Sequence, residues 1–173
     1  GNVPGSDIGY FFPDSANIRG LRDRRWGSWY DLNRSESSEK LTRNYVTLWF
    51  DHGRTPKNAS YDYVLLPNMS AEQTRQYSRW PDVQIIKNTN EVQAVRESKL
   101  GLLAANIWTR GRASLVYADQ PSSLMIRETG NKLTFVASDP TQTQNKLEFL
   151  VDRTGYKVVS GNSTVSITQG SSK

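Results

Sequence analysis

Between Asn17 and Tyr30 the chain reads NIRGLRDRRWGSWY, so that Arg19, Arg22, Arg24 and Arg25 run into Trp26, Gly27, Ser28 and Trp29. A guanidinium forks a carboxylate with two parallel N–H···O bonds, and an indole face takes a sugar ring or a base. Arginine beside tryptophan is therefore the composition of a wall that binds a charged, ring-shaped ligand. In an extended strand Arg22, Arg24 and Trp26 would point to one side, and Asp23 and Arg25 to the other. The same run also reads as an exposed basic edge strand, charged so that no other strand pairs with it.

A second candidate is His52, the one histidine, between Asp51 and Gly53. An imidazole beside a carboxylate is the pairing of a general base, yet no nucleophile motif accompanies it. At a strand end next to glycine, the competing expectation is that His52 holds the loop by hydrogen bonds. Metal chemistry is not expected: cysteine is absent, and neither HExxH nor an EF-hand pattern occurs. No glycine-rich loop follows a strand and opens a helix, no RNP, KH or helix-turn-helix signature is present, and no pair of carboxylates stands out as a glycosidase dyad.

The elements that must carry these residues are mostly strands. YVTLWF (45–50) and YDYVLL (61–66) read as two apolar strands joined by a polar loop with His52, Gly53 and Pro56. They are expected to pair antiparallel, and both faces of the first are expected to meet apolar neighbours. DIGYFFP (7–13) is a short strand closed by proline, and NRSESSEK (33–40) a surface loop. One helix is predicted from Ser70, an N-cap with Gln73 completing a capping box, to Arg79, where Trp80-Pro81 stops it. From Val83 onward VQIIK, EVQAVRES, KLGLLAANIW, ASLVYA, SSLMIRET, KLTFVAS, KLEFLVD, YKVVS and STVSIT follow one another between turn signals, the rhythm of a β-sandwich. The tail GSSK is expected to be disordered.

Bulk properties agree with an all-β domain. Of 173 residues 36% are hydrophobic, with five Trp and eight Tyr, enough to fill a core. The net charge of +5 suits a polyanionic partner, although a basic surface kept for solubility has the same signature. Residues 1–70 hold nine Lys/Arg against eight Asp/Glu and residues 71–173 thirteen against nine, so no single basic patch marks a nucleic-acid binder. No apolar run is long enough to span a bilayer. The opening GNVPGSD reads as the middle of a longer protein.

Four stretches, DHGRTPKNASYDYVLLPNMS, PDVQIIKNTNEVQAVRE, LAANIW and LTFVASDPTQ, resemble the closing part of polysaccharide lyase family eight, which includes hyaluronate, chondroitin AC and xanthan lyases. The opening of the chain, DIGYFFP followed by RRWGSW and DLN, is similar to the family's GYxF…RxGSWxxIN stretch. The resemblance covers nearly all of residues 7–151, in order. It implies an N-terminal α/α toroid, a large central β supersandwich and a smaller C-terminal β-sandwich. Residues 1–68 would be the last strands of the supersandwich and 69–173 the antiparallel C-terminal sandwich, with the one short helix near the junction.

The resemblance also implies the reaction, a metal-free β-elimination on a uronate-containing polysaccharide. The carboxylate is neutralised, a tyrosine takes the C5 proton, and the 4-linked sugar leaves an unsaturated uronate. Stabilising the enolate-like intermediate is the electrostatic burden. In the family the catalytic Asn, His, Tyr and Arg come from the helical domain, so no catalytic residue is assigned here and the 173 residues alone are expected to be inert. Arg25, in the RxGSW pattern, is the first candidate for contacting an anionic sugar, with Arg24 and Trp29 next; Trp26 and the doubled arginine depart from that pattern. The implied partners are an acidic polysaccharide and the enzyme's own toroid and central β domain, with no cofactor, no nucleic acid and no membrane, and the implied location is outside a bacterial cell. The competing reading is a stand-alone module that binds acidic glycans.

Overall fold

The computed structural model describes residues 5–14, 16–157, 160–161 and 166, and in them the chain is two antiparallel β assemblies joined through one helix. The first assembly is nested. Its outer pair is β1 (Ile8–Phe11) with β4 (Val64–Pro67), and its inner pair is β2 (Ile18–Gly27) with β3 (Leu41–Phe50). β2 and β3 match residue for residue, from Ile18 opposite Phe50 to Gly27 opposite Leu41.

The expected pairing of YVTLWF with YDYVLL does not occur. The two runs lie on different partners because apolar alternation fixes which way side chains point, not which strand lies alongside. Phe50 instead gathers the segment between them. Its ring lies 5.7 Å from Phe12, 6.1 Å from His52, 5.3 Å from Tyr61 and 6.3 Å from Tyr63. This hub holds Tyr61 and Tyr63 ahead of the strand rather than inside it. Nor are both faces of β3 covered by apolar neighbours among the described residues, since Val46 is 68% exposed and Tyr45, Leu48 and Trp49 are all above 40%.

The helix α1 (Ala71–Arg79) forms as its caps require. Ser70 Oγ accepts the Gln73 N–H at 3.3 Å and Gln73 Oε1 accepts the Ser70 N–H at 2.8 Å, satisfying two orphan donors of the first turn. Glu72 sits in the first turn and Arg79 in the last, as the helix dipole favours. The helix packs on β1, with Tyr77 edge-on to Phe11 at 5.5 Å. The Tyr77 hydroxyl also accepts the Val83 N–H at 3.1 Å, tying the helix to the strand that follows.

The second assembly is a sandwich of two sheets. One has the order β11-β10-β7-β6-β5, from β5 (Val83–Asn88), β6 (Val92–Glu97), β7 (Leu102–Ile107), β10 (Ser122–Thr129) and β11 (Lys132–Ser138). The other is β12-β9-β8, from β8 (Gly111–Ala113), β9 (Val116–Ala118) and β12 (Phe149–Val151). Alternation sends Val92, Ala94, Leu103, Ala105, Ile107, Leu124 and Ile126 inward to meet Ala113, Leu115, Val116 and Ala118. Small and large side chains interleave there, and each buried Ile or Val stabilises by roughly 1.5–3 kcal/mol. Phe135 and Phe149 close one side edge to face at 4.9 Å.

Three sequence expectations are corrected in this sandwich. KLGLLAANIW supplies a strand only from Leu102, because residues 99–101 form the turn after β6. ASLVYA is not one strand: Ser114, at φ 55, turns the chain between β8 and β9, which pair with each other. KLEFLVD supplies a strand only from Phe149, because Lys146–Glu148 belong to the preceding loop. The expected strands YKVVS and STVSIT, and the tail, fall on or run into residues outside the described ones.

Candidate substrate-binding surface

The β2–β3 register decides which arginines can act together. Residues directly opposite share a face, so one face of the ribbon carries Arg19, Asp23, Arg25, Arg43, Tyr45, Thr47 and Trp49, and the other Arg22, Arg24, Trp26, Asn44, Val46 and Leu48. Arg24 and Arg25 are thus on opposite sides, as strand alternation requires, and the three expected contact residues do not converge. Trp29 lies past the end of β2, in a single 3₁₀ turn (Trp29–Asp31), and is 57% exposed. That turn is fixed by Asp31, whose Oδ2 accepts the Ser28 N–H at 3.0 Å and Oγ–H at 2.8 Å. These two donors hold the Asp31 carboxyl below the usual carboxylate range.

Arg25 is the best positioned of the three. Its Nε donates to Asp23 Oδ2 at 2.8 Å and an Nη donates to Thr47 Oγ1 at 3.3 Å. Its guanidinium carbon stands 5.3 Å from the Tyr45 ring centroid. The hydrogen bond it donates to Asp23, together with that carboxylate's negative charge, further stabilises the guanidinium cation. Asp23 and Thr47 each take one N–H of the guanidinium, and the other three are left to meet an anion above the sheet. Arg43 stands opposite Arg25 and Trp49 opposite Arg19, so cation and aromatic alternate along this face. Arg19 is itself paired with Asp51 at 2.5 Å. Tyr45, Thr47, Arg43 and Trp49 are not legible as site residues in the sequence, because β3 brings them onto the Arg25 face only through the long-range register.

On the opposite face Lys40 Nζ lies 3.9 Å from the Trp26 ring centroid, and beyond the strand Arg34 stacks on Tyr30 at 4.6 Å. Trp26 is 64% exposed. The ribbon is two-stranded, so β2 keeps a free edge among the described residues. The basic edge and the aromatic wall are therefore both present, on one strand.

His52 does not hold its loop by the hydrogen bonds expected of it; that part falls to Asp51. Asp51 Oδ1 accepts the Gly53 N–H at 3.0 Å, and with Arg19 this keeps the Asp51 carboxyl below its ordinary range. His52 instead lies parallel to the Phe50 ring, 6° from coplanar. A small cavity of about 170 Å³ beside it is lined by Asp14, Asn17, Phe50, Ser60, Tyr61 and Asp62, among others. With Asp51 committed to Gly53 and Arg19, the pair is not set up to relay a proton. Among the described residues no group of three or more His, Asp or Glu is placed to hold a metal ion.

Comparison with known proteins gives the same order of parts. Residues 3–78 match the model described as polysaccharide lyase family 8, super-sandwich domain. Residues 84–148 match that described as polysaccharide lyase family 8, C-terminal beta-sandwich domain. The first match runs into α1 and the second begins in β5. The chain is 40% identical over 173 residues to a xanthan lyase of Bacillus sp. (strain GL1), covering 95% of this chain and 18% of that protein. It is 34% identical over 164 residues to a hyaluronate lyase of Thermasporomyces composti, covering 93% of this chain and 21% of that one. A solved chondroitin AC lyase of Streptomyces coelicolor A3, in complex with chondroitin sulphate, superposes with a TM-score of 0.82 at 33% identity over 88% of this chain and 21% of its own. The chain thus spans about a fifth of the length of the relatives it matches.

Proposed function

Because the chain belongs to polysaccharide lyase family 8, we propose that it is the C-terminal part of a secreted bacterial enzyme that cleaves an acidic, uronate-containing polysaccharide by β-elimination. Xanthan, hyaluronan and chondroitin are the substrate candidates, from the names of its relatives. In this reading residues 1–68 close the central supersandwich and 69–173 form the C-terminal sandwich. The toroid and the rest of the central domain cover the apolar faces that β3 leaves open here. The chain itself supports the cleft and supplies no group that takes the C5 proton.

The observation that carries this reading beyond family membership is the face around Arg25. A guanidinium oriented by Asp23 and Thr47 beside the Tyr45 ring, with Trp49 farther along the same face, is suited to a sugar bearing a carboxylate. The anion pairs with the fork while the rings offer flat apolar area.

The test is an assay of the intact enzyme carrying this chain on xanthan, hyaluronan and chondroitin, followed by the ultraviolet absorbance of unsaturated uronate ends. Formation of such ends on at least one polymer is expected from the intact enzyme and not from the 173 residues alone. An intact enzyme that forms none on any of them would leave the stand-alone glycan-binding module as the better reading.

A further inference from the structure

The outward face of the five-stranded sheet carries a line of amides and hydroxyls that crosses four strands. Gln93 lies opposite Asn106, Asn106 opposite Ser123, and Ser123 opposite Ser138. The core sets their direction: the neighbours Val92, Ala94, Ala105, Ile107 and Leu124 are buried, which turns Gln93, Asn106 and Ser123 outward. With strands roughly 4.8 Å apart the line runs about 14 Å. Ser123 Oγ donates to Asn106 Oδ1 at 2.8 Å, which leaves the Asn106 amide nitrogen as a donor toward solvent.

The line ends at a pocket. Ser138 is followed by Asp139, whose carboxylate gathers the next loop. Its Oδ1 accepts the Thr141 N–H at 2.8 Å, the Thr141 Oγ–H at 2.6 Å and Gln144 Nε2 at 2.8 Å. Its Oδ2 accepts the N–H groups of Thr143 and Gln144 at 2.9 and 2.8 Å. Gln144 Nε2 also donates to the Pro121 carbonyl at 2.8 Å, fastening the loop to the start of β10. Between loop and strand is a pocket of about 450 Å³, completed by Gln120, Thr141, Thr143, Asn145 and Lys146. It is an open depression on the surface, shaped for an extended strand rather than an enclosed small ligand. Ile107 pairs with Ser122, so Trp108 stands across from Pro121 at the same end, 52% exposed.

These groups share one chemistry. Amides and hydroxyls both donate and accept, as sugar hydroxyls do, and an exposed indole offers a face to the C–H side of a pyranose. Lys146 supplies the cation. It rests against Glu148 at 2.5 Å with both side chains mostly exposed, a pairing weak enough to be exchanged for a ligand anion. Asp139 does not repel such an anion strongly, because five donors already surround its oxygens.

We propose that this line and pocket form a second glycan-binding site, on the C-terminal sandwich and apart from the β2–β3 ribbon. It holds a strand of acidic polysaccharide by its hydroxyls, with Lys146 on a carboxylate or sulfate. The inference rests on the reading of the chain as part of a polysaccharide-acting enzyme. A second hold on one polymer raises the effective concentration of that polymer at a cleft without any new catalytic group.

The test reads binding without catalysis: affinity electrophoresis of the full chain in native gels containing xanthan, hyaluronan or neutral dextran. The acidic polymers should retard it and dextran should not. The double variant Trp108→Ala/Lys146→Ala, both positions exposed, should raise the apparent dissociation constant at least fivefold with an unchanged melting temperature. Lys57→Ala removes the same charge from the other assembly and should change it less than twofold. Unchanged retardation of the double variant, equal losses from Lys57→Ala, or no retardation of the parent chain would each overturn the site. Failure of the lyase reading shows separately, as an intact enzyme that makes no unsaturated uronate.

Discussion

Arg24 and Arg25 are neighbours in sequence and point to opposite faces of the β2–β3 ribbon, Arg25 held by Asp23 and Thr47 and Arg24 standing opposite Asn44. One peptide unit therefore separates two guanidinium groups that cannot contact the same sugar. The Arg25 face has a tyrosine and a tryptophan in register; the Arg24 face has Trp26 with a lysine lying over it.

From this follows an asymmetry between two otherwise similar substitutions. Arg25→Ala in the intact enzyme should raise KM on an acidic polymer about 5- to 30-fold, as the loss of one solvent-screened, charge-assisted hydrogen bond to the ligand would. Arg24→Ala should raise it less than threefold. Steady-state kinetics of the two variants decide it, and equal effects would mean that the face assigned to the substrate is wrong.

Gly101 closes the turn from β6 to β7 at φ +61, and a Cβ there would lie 2.3 Å from the Glu128 carbonyl oxygen. The obstacle is backbone, and the Glu128 N–H donates to the Gly101 carbonyl at 2.9 Å, so neither strand can step back without losing a bond. Gly101→Ala should cost about 2–4 kcal/mol, from positive-φ strain and overpacking together. Gly130, at φ +58 with open space around its Cβ direction, meets only the first of these. Gly130→Ala should therefore cost no more than about 1–2 kcal/mol. Chemical denaturation of both variants measures the difference.

Ser70→Ala removes the acceptor for the Gln73 N–H and half of the capping box. Loss of such a cap costs about 1 kcal/mol, and Ser70→Gly only a few tenths. Because α1 joins β1 to β5 through Tyr77, hydrogen exchange should quicken first in residues 71–79. Faster exchange confined to the sandwich strands would contradict the placing of the helix as the join.

What could be read from the sequence was whatever is written locally. The capping box of α1, the tryptophan and proline that end it, and the turn residues Gln120-Pro121, Gly130-Asn131 and Asp139-Pro140 all act within a few positions, and each is found where expected. What was missed depends on partners distant in the chain. The tyrosines before β4 alternate as a strand would, yet they are taken by the Phe50 hub, and β3 pairs with β2 because their registers match over ten residues. Ser114 turns the chain between β8 and β9 with no glycine or proline to announce it. The Arg25 face was half legible: β2 displays its own charges, while Tyr45, Thr47 and Trp49 arrive only when β3 is laid alongside.

Two carboxylates should give opposite pH signatures. Burial pushes the Asp62 carboxyl up, and the neighbouring Asp14 carboxylate adds to this against a hydrogen bond from Asn88. A carboxyl raised on folding contributes stability that is present below its unfolded pKa and lost as pH rises through its folded value. Asp62→Asn should therefore raise the melting temperature at pH 7, with the gain vanishing below the ordinary carboxylate value of 3.8. Burial also pushes Asp139 up, but donors from Thr141 and Gln144 outweigh it and hold the carboxyl well below the usual range. Its contribution is present above 3.8 and is lost as pH falls through its folded value. Asp139→Asn should thus lower the melting temperature at pH 7, and the deficit should shrink steadily toward pH 2. Melting curves of the parent and both variants between pH 2 and 7 test the pair together. Two variants moving in the same direction at neutral pH would show that one carboxylate environment has been misread.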